Sequence, residues 1–282
     1  MKHNFLTKLL TVLLFSSFIS ISYAQKRLIA LTIDDLPFVG EEKNFHLNMI
    51  IDALKANEVP ATGFVIASNV SPNNWDTLKK FREAGLGIGN HTLNHINLNK
   101  VKTQAYIQEI DDADKVLLPV LTEPKFFRYP YLAMSNGEKK NTVISFLAAK
   151  NYQIAPVTID SKDFVFNQLL LSVQEKDRRG FLGVLRDCYL KFIWEQTLLA
   201  EEHNIQANKP NRPQILLIHA NLLNAYVLPD IINLYRQNGF TFVSLERALR
   251  GFPGTPKVAV KEEQPIPEKL EPEQMNDMVA WD

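Results

Sequence analysis

The feature that most restricts the fold of this chain is a regular alternation. Short apolar runs of strand length are separated by stretches whose apolar residues recur at helical spacing. Ile215-Leu216-Leu217-Ile218 is apolar on both faces of an extended chain, as a strand covered on both sides requires. Strands are expected at Arg27–Ile33, Thr62–Ile66, Gly85–Gly89, Lys125–Arg128, Tyr152–Ile159, Ile215–Ile218 and Phe240–Val243. Helices are expected at Phe45–Ala56 (Leu47, Ile50, Ile51 and Leu54 on one face), Asn74–Ala84, Thr103–Leu118 and Gly137–Ala149. Such a repeat builds a parallel sheet with helices on its faces. The fold class is α/β, with about seven parallel strands in a single domain. Strand signals lapse between Phe166 and Pro213, and residues 166–213 read as an insertion of one or two long helices.

The termini read differently. Lys2 and Lys8 precede an apolar run from Leu9 to Ile21, and Ser22-Tyr23-Ala24-Gln25 places small residues where a signal peptidase reads them. Residues 1–24 are expected to be a secretory leader, too short for a comfortable span and removed after Ala24. The mature chain is then secreted or periplasmic, without a stable membrane anchor. No cysteine follows the run, which excludes a lipid anchor there. Residues 25–250 form the domain, and Gly251–Asp282 is a tail with five prolines and five glutamates in 32 residues. Lys+Arg and Asp+Glu both number 31, so the net charge is zero and no footprint for nucleic acid is present. Cys188 is the single cysteine, so neither an intrachain disulfide nor a CxxC metal site is possible. In a helical stretch it reads as an ordinary buried small residue.

In parallel α/β folds, ligands bind at the carboxyl ends of the strands. Five strand ends here carry polar groups: Asp34-Asp35, His91 with His95, Arg128 with Tyr131, Asp160 with Asp163, and His219. Each has an ordinary reading alone, as a helix cap, a surface charge or a hydrogen-bonded core histidine. Their recurrence at successive strand ends points to a site. The i, i+4 spacing of His91 and His95 places two imidazoles on one face of a helical turn. With Asp35 they make a two-His, one-carboxylate metal site. Alternate residues at a strand end diverge, so Asp34 can face a water as general base while Asp35 ligates. Arg128 can pair with Asp34, and His219, its pKa raised by Asp163, can act as general acid. That chemistry is metal-assisted hydrolysis of an amide or ester.

These residues resemble the polysaccharide deacetylases with the NodB homology domain, carbohydrate esterase family 4. The family's Thr-Phe-Asp-Asp-Gly-Pro is Thr32-Ile33-Asp34-Asp35-Leu36-Pro37 here, and its His-Ser/Thr-x-x-His is His91-Thr92-Leu93-Asn94-His95. Its Arg-x-Pro-Tyr/Phe is Arg128-Tyr129-Pro130-Tyr131, its Asp-x-x-Asp-Trp is Asp160-Ser161-Lys162-Asp163-Phe164, and its apolar strand ending in His is Leu216–His219. The segment from Thr62 to Val70, TGFVIASNV, resembles the family's TFFVxGxNV. The resemblance covers roughly residues 27–250. It implies a distorted (β/α) barrel. It also implies Asp34 as base, Arg128 orienting it, Asp35, His91 and His95 on Zn²⁺ or another divalent ion such as Co²⁺, Ni²⁺ or Mn²⁺, the backbone N–H of Tyr131 on the oxyanion, and Asp163 tuning the acid His219. Phe164, where the family has Trp, keeps an apolar substrate-binding wall beside Tyr131. Leu36 stands in place of Gly, and Ala220 where Asp is more common. The implied activity is a metal-dependent hydrolase removing acetyl groups from N-acetylated polysaccharide of the peptidoglycan or chitin type. The alternatives are an O-acetyl esterase on acetylated xylan or exopolysaccharide, and a catalytically inactive carbohydrate-binding homologue.

Overall fold

The structure is a computed structural model, and it describes residues 27–37 and 43–252. The expected leader 1–24 and all but the first two residues of the tail lie outside the described residues. Eight strands form one parallel sheet: β1 (Arg27–Leu36), β2 (Ala61–Val65), β3 (Gly87–Asn90), β4 (Lys125–Phe127), β5 (Tyr152–Ile154), β6 (Ile159–Asp160), β7 (Gln214–His219) and β8 (Phe240–Phe242). The helices are α1 (Lys43–Ala56), α2 (Pro72–Glu83), α3 (Thr103–Leu117), α4 (Gly137–Ala149), α5 (Asp163–Ser172), α6 (Glu175–Gln206), α7 (Leu222–Gln237) and α8 (Leu245–Leu249). No helix among the described residues is long and apolar enough to cross a membrane.

The strand order β5-β4-β3-β2-β1-β7-β6, with β8 beside the start of β1, explains the barrel. The run expected as one strand over Tyr152–Ile159 is two, interrupted at Ala155-Pro156-Val157-Thr158. Proline donates no ladder hydrogen bond, so a break there is favoured. The two pieces pair at opposite edges of the sheet, β5 with β4 and β6 with β7. The link from Ile154 to Ile159 reaches at most about 18 Å. Seven flat strands would set those edges about 29 Å apart. The sheet therefore curls until its edges meet at a covalent link, and the expected (β/α) barrel results.

Period-2 alternation then sorts the side chains. Ile29, Leu31 and Ile33 of β1, with Leu216 and Ile218 of β7, pack in the core shared with the helices. Ala30 and Ile215 point the other way, into a second cluster with Phe64, Phe126 and Leu249 of α8. Continuing that inward parity leads to Thr32 and Asp34 on β1 and to Leu217 and His219 on β7. Asp34, Leu217 and His219 all line one groove.

The helical insertion is the end of α5 and the single long α6. Leu185, Tyr189, Ile193, Thr197, Ala200 and Asn204 form the buried stripe of α6 at three- and four-residue spacing. Cys188 falls off that stripe and is exposed, so the reading of it as a buried core residue is corrected.

Leu36 and Gly63 are a volume exchange. The Leu36 side chain is fully buried, and a Cβ added at Gly63 would lie 2.0 Å from its Cδ1. Where the resembling family has Gly then Phe, this chain has Leu then Gly at the two places. Leu36→Ala is expected to cost about 3 kcal/mol. Gly63→Phe alone should destabilise by overpacking, and Leu36→Gly with Gly63→Phe should lose less than the two single changes summed. Urea denaturation of the four proteins measures this, and simple additivity would contradict it.

Candidate active site

Five strands contribute near their carboxyl ends: Asp34 and Asp35 close to the end of β1, His91 just after β3, Arg128 just after β4, Asp160 at the end of β6 and His219 at the end of β7. β1 is bulged there: Ile33 is opposite Gly63 but Leu36 is opposite Val65, so three steps on β1 match two on β2. Asp35 takes the extra position with a left-handed φ of 63°. By alternation it should face the helices with Ile33. The bulge turns it inward instead, so Asp34 Oδ2 and Asp35 Oδ1 lie 3.8 and 3.6 Å from the same nitrogen, His91 Nε2. The two carboxylates converge rather than diverge, contrary to the expectation from strand alternation.

His91 and His95 are not on a helical turn either. The segment after β3 is a loop with left-handed φ at Thr92 (67°) and His95 (55°). Buried Asn90 holds it, accepting from the Thr92 N–H at 2.8 Å and donating to Ile110 O and Tyr152 Oη. Glu109 grips Asn94 through its N–H at 2.7 Å and its side-chain amide at 2.8 Å. Asp35 Oδ1 lies 3.4 Å from His95 Nε2, and one donor atom each from Asp35, His91 and His95 falls within 4.8 Å of the others. His91 Nδ1 is 2.8 Å from Arg128 O. A carbonyl only accepts, so Nδ1 carries the proton and the Nε2 lone pair points to the cluster. Burial pushes the His91 pKa down to about 3 and lowers that of His95, which keeps both rings neutral as ligands. Asp35 Oδ1 is buried and accepts no hydrogen bond among the described residues. A neutral imidazole pair facing an unpartnered carboxylate oxygen fits a divalent cation.

Asp34 sits beside this cluster, 2 % exposed. Its Oδ2 is 3.4 Å from Arg128 Nη1, while Arg128 Nη2 donates to Thr32 Oγ1 at 3.0 Å and the guanidinium lies 4.8 Å over the Phe64 ring. Thr32 in turn donates to Leu216 O at 2.7 Å. Burial pushes the Asp34 carboxyl above its ordinary value, and the Arg128 charge pulls against it. Asp34 Oδ1 is buried and accepts no hydrogen bond among the described residues.

His219 is the register partner of Asp34 across β1 and β7. Its Nδ1 is 2.7 Å from Asp163 Oδ1, and its N–H donates to Asp163 Oδ2 at 2.6 Å. Oδ2 also accepts from the side-chain amides of Asn221 and Asn224, so the fully buried Asp163 is held on both oxygens. Burial lowers the His219 pKa, but the charge and hydrogen bond of Asp163 outweigh it and lift the ring to about 10. The imidazolium Nε2 faces the groove as a proton donor.

The groove encloses about 590 Å³. Exposed Tyr131 and Leu132 form one wall, and the Tyr131 ring packs 4.6 Å from that of His95. Phe164, 6.2 Å from the His219 ring and edge-on, begins the other wall, continued along α5. Of the ten non-glycine residues with positive φ among the described residues, Asp35, His95, Tyr131, Leu132 and Lys162 line this groove and Thr92 adjoins it. Each such backbone costs about 1–3 kcal/mol, and strain of this kind collects at functional sites. Asp34, Asp35, His91, His95, Tyr131, Phe164 and His219 line one groove, while Arg128 and Asp163 are buried behind it against Asp34 and His219. Missed from the sequence were Asn90, Glu109, Asn221 and Asn224, whose signal is only their place next to a strand end or on the following helix, and the α5 face beyond Phe164.

Residues 22–153 match the family model for polysaccharide deacetylase. The chain is 30% identical over 149 residues to a chitin deacetylase of Colletotrichum lindemuthianum, covering 51% of this chain and 56% of that protein. It is 32% identical over 139 residues to a peptidoglycan-N-acetylglucosamine deacetylase of Bacillus cereus, covering 48% and 46%. The chain spans about half the length of these curated relatives. The solved structure of the Colletotrichum lindemuthianum chitin deacetylase matches its fold with a TM-score of 0.56 at 22% identity, over 82% of this chain and 90% of that one. Residues 22–153 of the chain are therefore similar to the polysaccharide deacetylase family, and its fold is that of a solved chitin deacetylase.

Proposed function

We propose that this protein, freed of its leader, is a secreted, metal-dependent deacetylase acting on N-acetylated polysaccharide of the chitin or peptidoglycan type. The observation that carries the reading is the convergence in one groove of a two-His, one-carboxylate cluster, a second carboxylate 3.8 Å from one of its nitrogens, and an imidazolium on the neighbouring strand. Relatives named chitin deacetylase and peptidoglycan-N-acetylglucosamine deacetylase support the substrate class.

Asp35, His91 and His95 would hold the ion, with Zn²⁺ suited to two imidazoles and a carboxylate. A divalent cation there makes water more acidic and draws electron density from an acyl oxygen. Asp34 takes a proton as water attacks the acetyl carbon, and Arg128 and Thr32 hold Asp34 in place. The backbone N–H of Tyr131 steadies the negative charge that forms on the acyl oxygen. His219 gives its proton to the sugar nitrogen as the C–N bond breaks, leaving acetate and a free amine. The intact base, ligands and acid oppose a binding-only role.

The test is acetate release from oligomers of N-acetylglucosamine by residues 25–282 with Zn²⁺ or Co²⁺ added. Release that stops with a chelator and returns with metal is expected. Release unaffected by chelation, or none with metal bound, overturns the reading.

A further inference from the structure

The groove continues past the reacting centre along α5. Phe164, Gln168 and Leu171 stand at i, i+4 and i+7, so they share one face of that helix, and all three line the groove. The helix packs against α6 and α7, and Asn167 ties it down by accepting from the Leu223 N–H at 3.0 Å. Its groove face stays open: Phe164 is 46 % and Leu171 44 % exposed. Tyr131 and Leu132 face it from the opposite wall.

The charges of this groove are confined. Asp34, Asp35, His91, His95 and His219 belong to the reacting centre. The remaining charged lining residues, Asp160 and Lys162, are paired with each other at 2.6 Å, and Asp160 also accepts from the Lys162 N–H. No unpaired cation lines the groove among the described residues. A carboxylate or phosphate on the ligand would lose its water without gaining a partner. A pyranose ring has an apolar face of C–H groups and an equatorial rim of hydroxyl or amide groups. The first suits Phe164, Leu171 and Tyr131, and the second suits the Gln168 amide.

Resting on the deacetylase reading, we propose that the α5 face of Phe164, Gln168 and Leu171 binds the sugars flanking the acetylated one and selects an uncharged chain. The substrate class is then a neutral N-acetylated glycan rather than one bearing uronic acids, lactyl carboxylates or phosphates.

Binding separates this from the catalytic reading. Asp34→Asn protein, whose turnover is expected to be about 10³-fold slower, is titrated by calorimetry at low salt with two probes. One is the pentamer of N-acetylglucosamine, and the other is a hexamer alternating N-acetylglucosamine with glucuronate. The pentamer is expected to bind at least about tenfold more tightly, and Gln168→Ala and Leu171→Ala in the same background should each weaken it about fivefold. Leu171→Lys should narrow the gap between the probes. Thermal melting checks that each variant folds. Equal or tighter binding of the charged hexamer, no pentamer binding, or pentamer binding indifferent to α5 overturns the proposal. Should the pentamer bind through α5 while wild-type protein with metal releases no acetate from it, the deacetylase reading fails and this assignment stands.

Discussion

Asp34→Asn is expected to keep metal affinity and lose about 10³-fold in kcat, the usual worth of a positioned general base. The change is nearly isosteric, and Asp34 lies 3.8 Å from His91 Nε2 without being one of the three clustered donors. An amide cannot take a proton from water, and Arg128 would face a neutral group in a buried place. His91→Ala should behave differently, losing metal and turnover together, because its Nε2 lone pair is aimed at the cluster by the Arg128 carbonyl. Metal content by plasma emission and acetate release on the same samples separate the two variants. Full turnover in Asp34→Asn would remove Asp34 as base. Undiminished metal content in His91→Ala would remove the cluster as the metal site.

Asp163→Asn should move the alkaline limb of the pH profile. The active acid is protonated His219, so rate falls as pH rises through its pKa, which Asp163 lifts to about 10 against the lowering effect of burial. Asparagine keeps the shape and removes the charge, leaving burial opposed only by the weaker pull of Asp34 and Asp35. The pKa then drops below the ordinary histidine value of about 6.5, and at pH 8 the rate should fall by about 10²-fold. The profile of kcat/KM from pH 5 to 11 measures it. An unmoved alkaline limb would mean that His219 is not the acid or that Asp163 does not tune it.

Much of this site was legible because strand parity is legible. The alternation that puts Ile29, Leu31 and Ile33 against the helices and Ala30 in the barrel commits Asp34 to the groove, and Leu217 and His219 follow on β7. Asp35 was placed for the wrong reason. Parity sends it outward, and only a bulge paired with φ 63° brings it back. Neither is written in a local pattern, since aspartate tolerates that backbone but does not demand it. His91 and His95 likewise meet through left-handed residues rather than a helical turn, and the tethers that set this loop, Asn90 and Glu109, act across distances no spacing rule encodes. The split of Tyr152–Ile159 had a visible cue in Pro156, but that its halves lie at opposite edges of the sheet is a property of the curled sheet as a whole. On the groove face of α5 only Phe164 was legible, through the resemblance; Gln168 and Leu171 are exposed, and a helix stripe signals its purpose only when buried.

The most direct test of the account is a metal titration of metal-free protein read by acetate release from the N-acetylglucosamine pentamer. Three donors gathered within 4.8 Å in one cluster predict activity that rises linearly with Zn²⁺ and stops rising at one equivalent. Activity already present without metal, or none at any Zn²⁺ or Co²⁺ level despite stoichiometric binding, would contradict it.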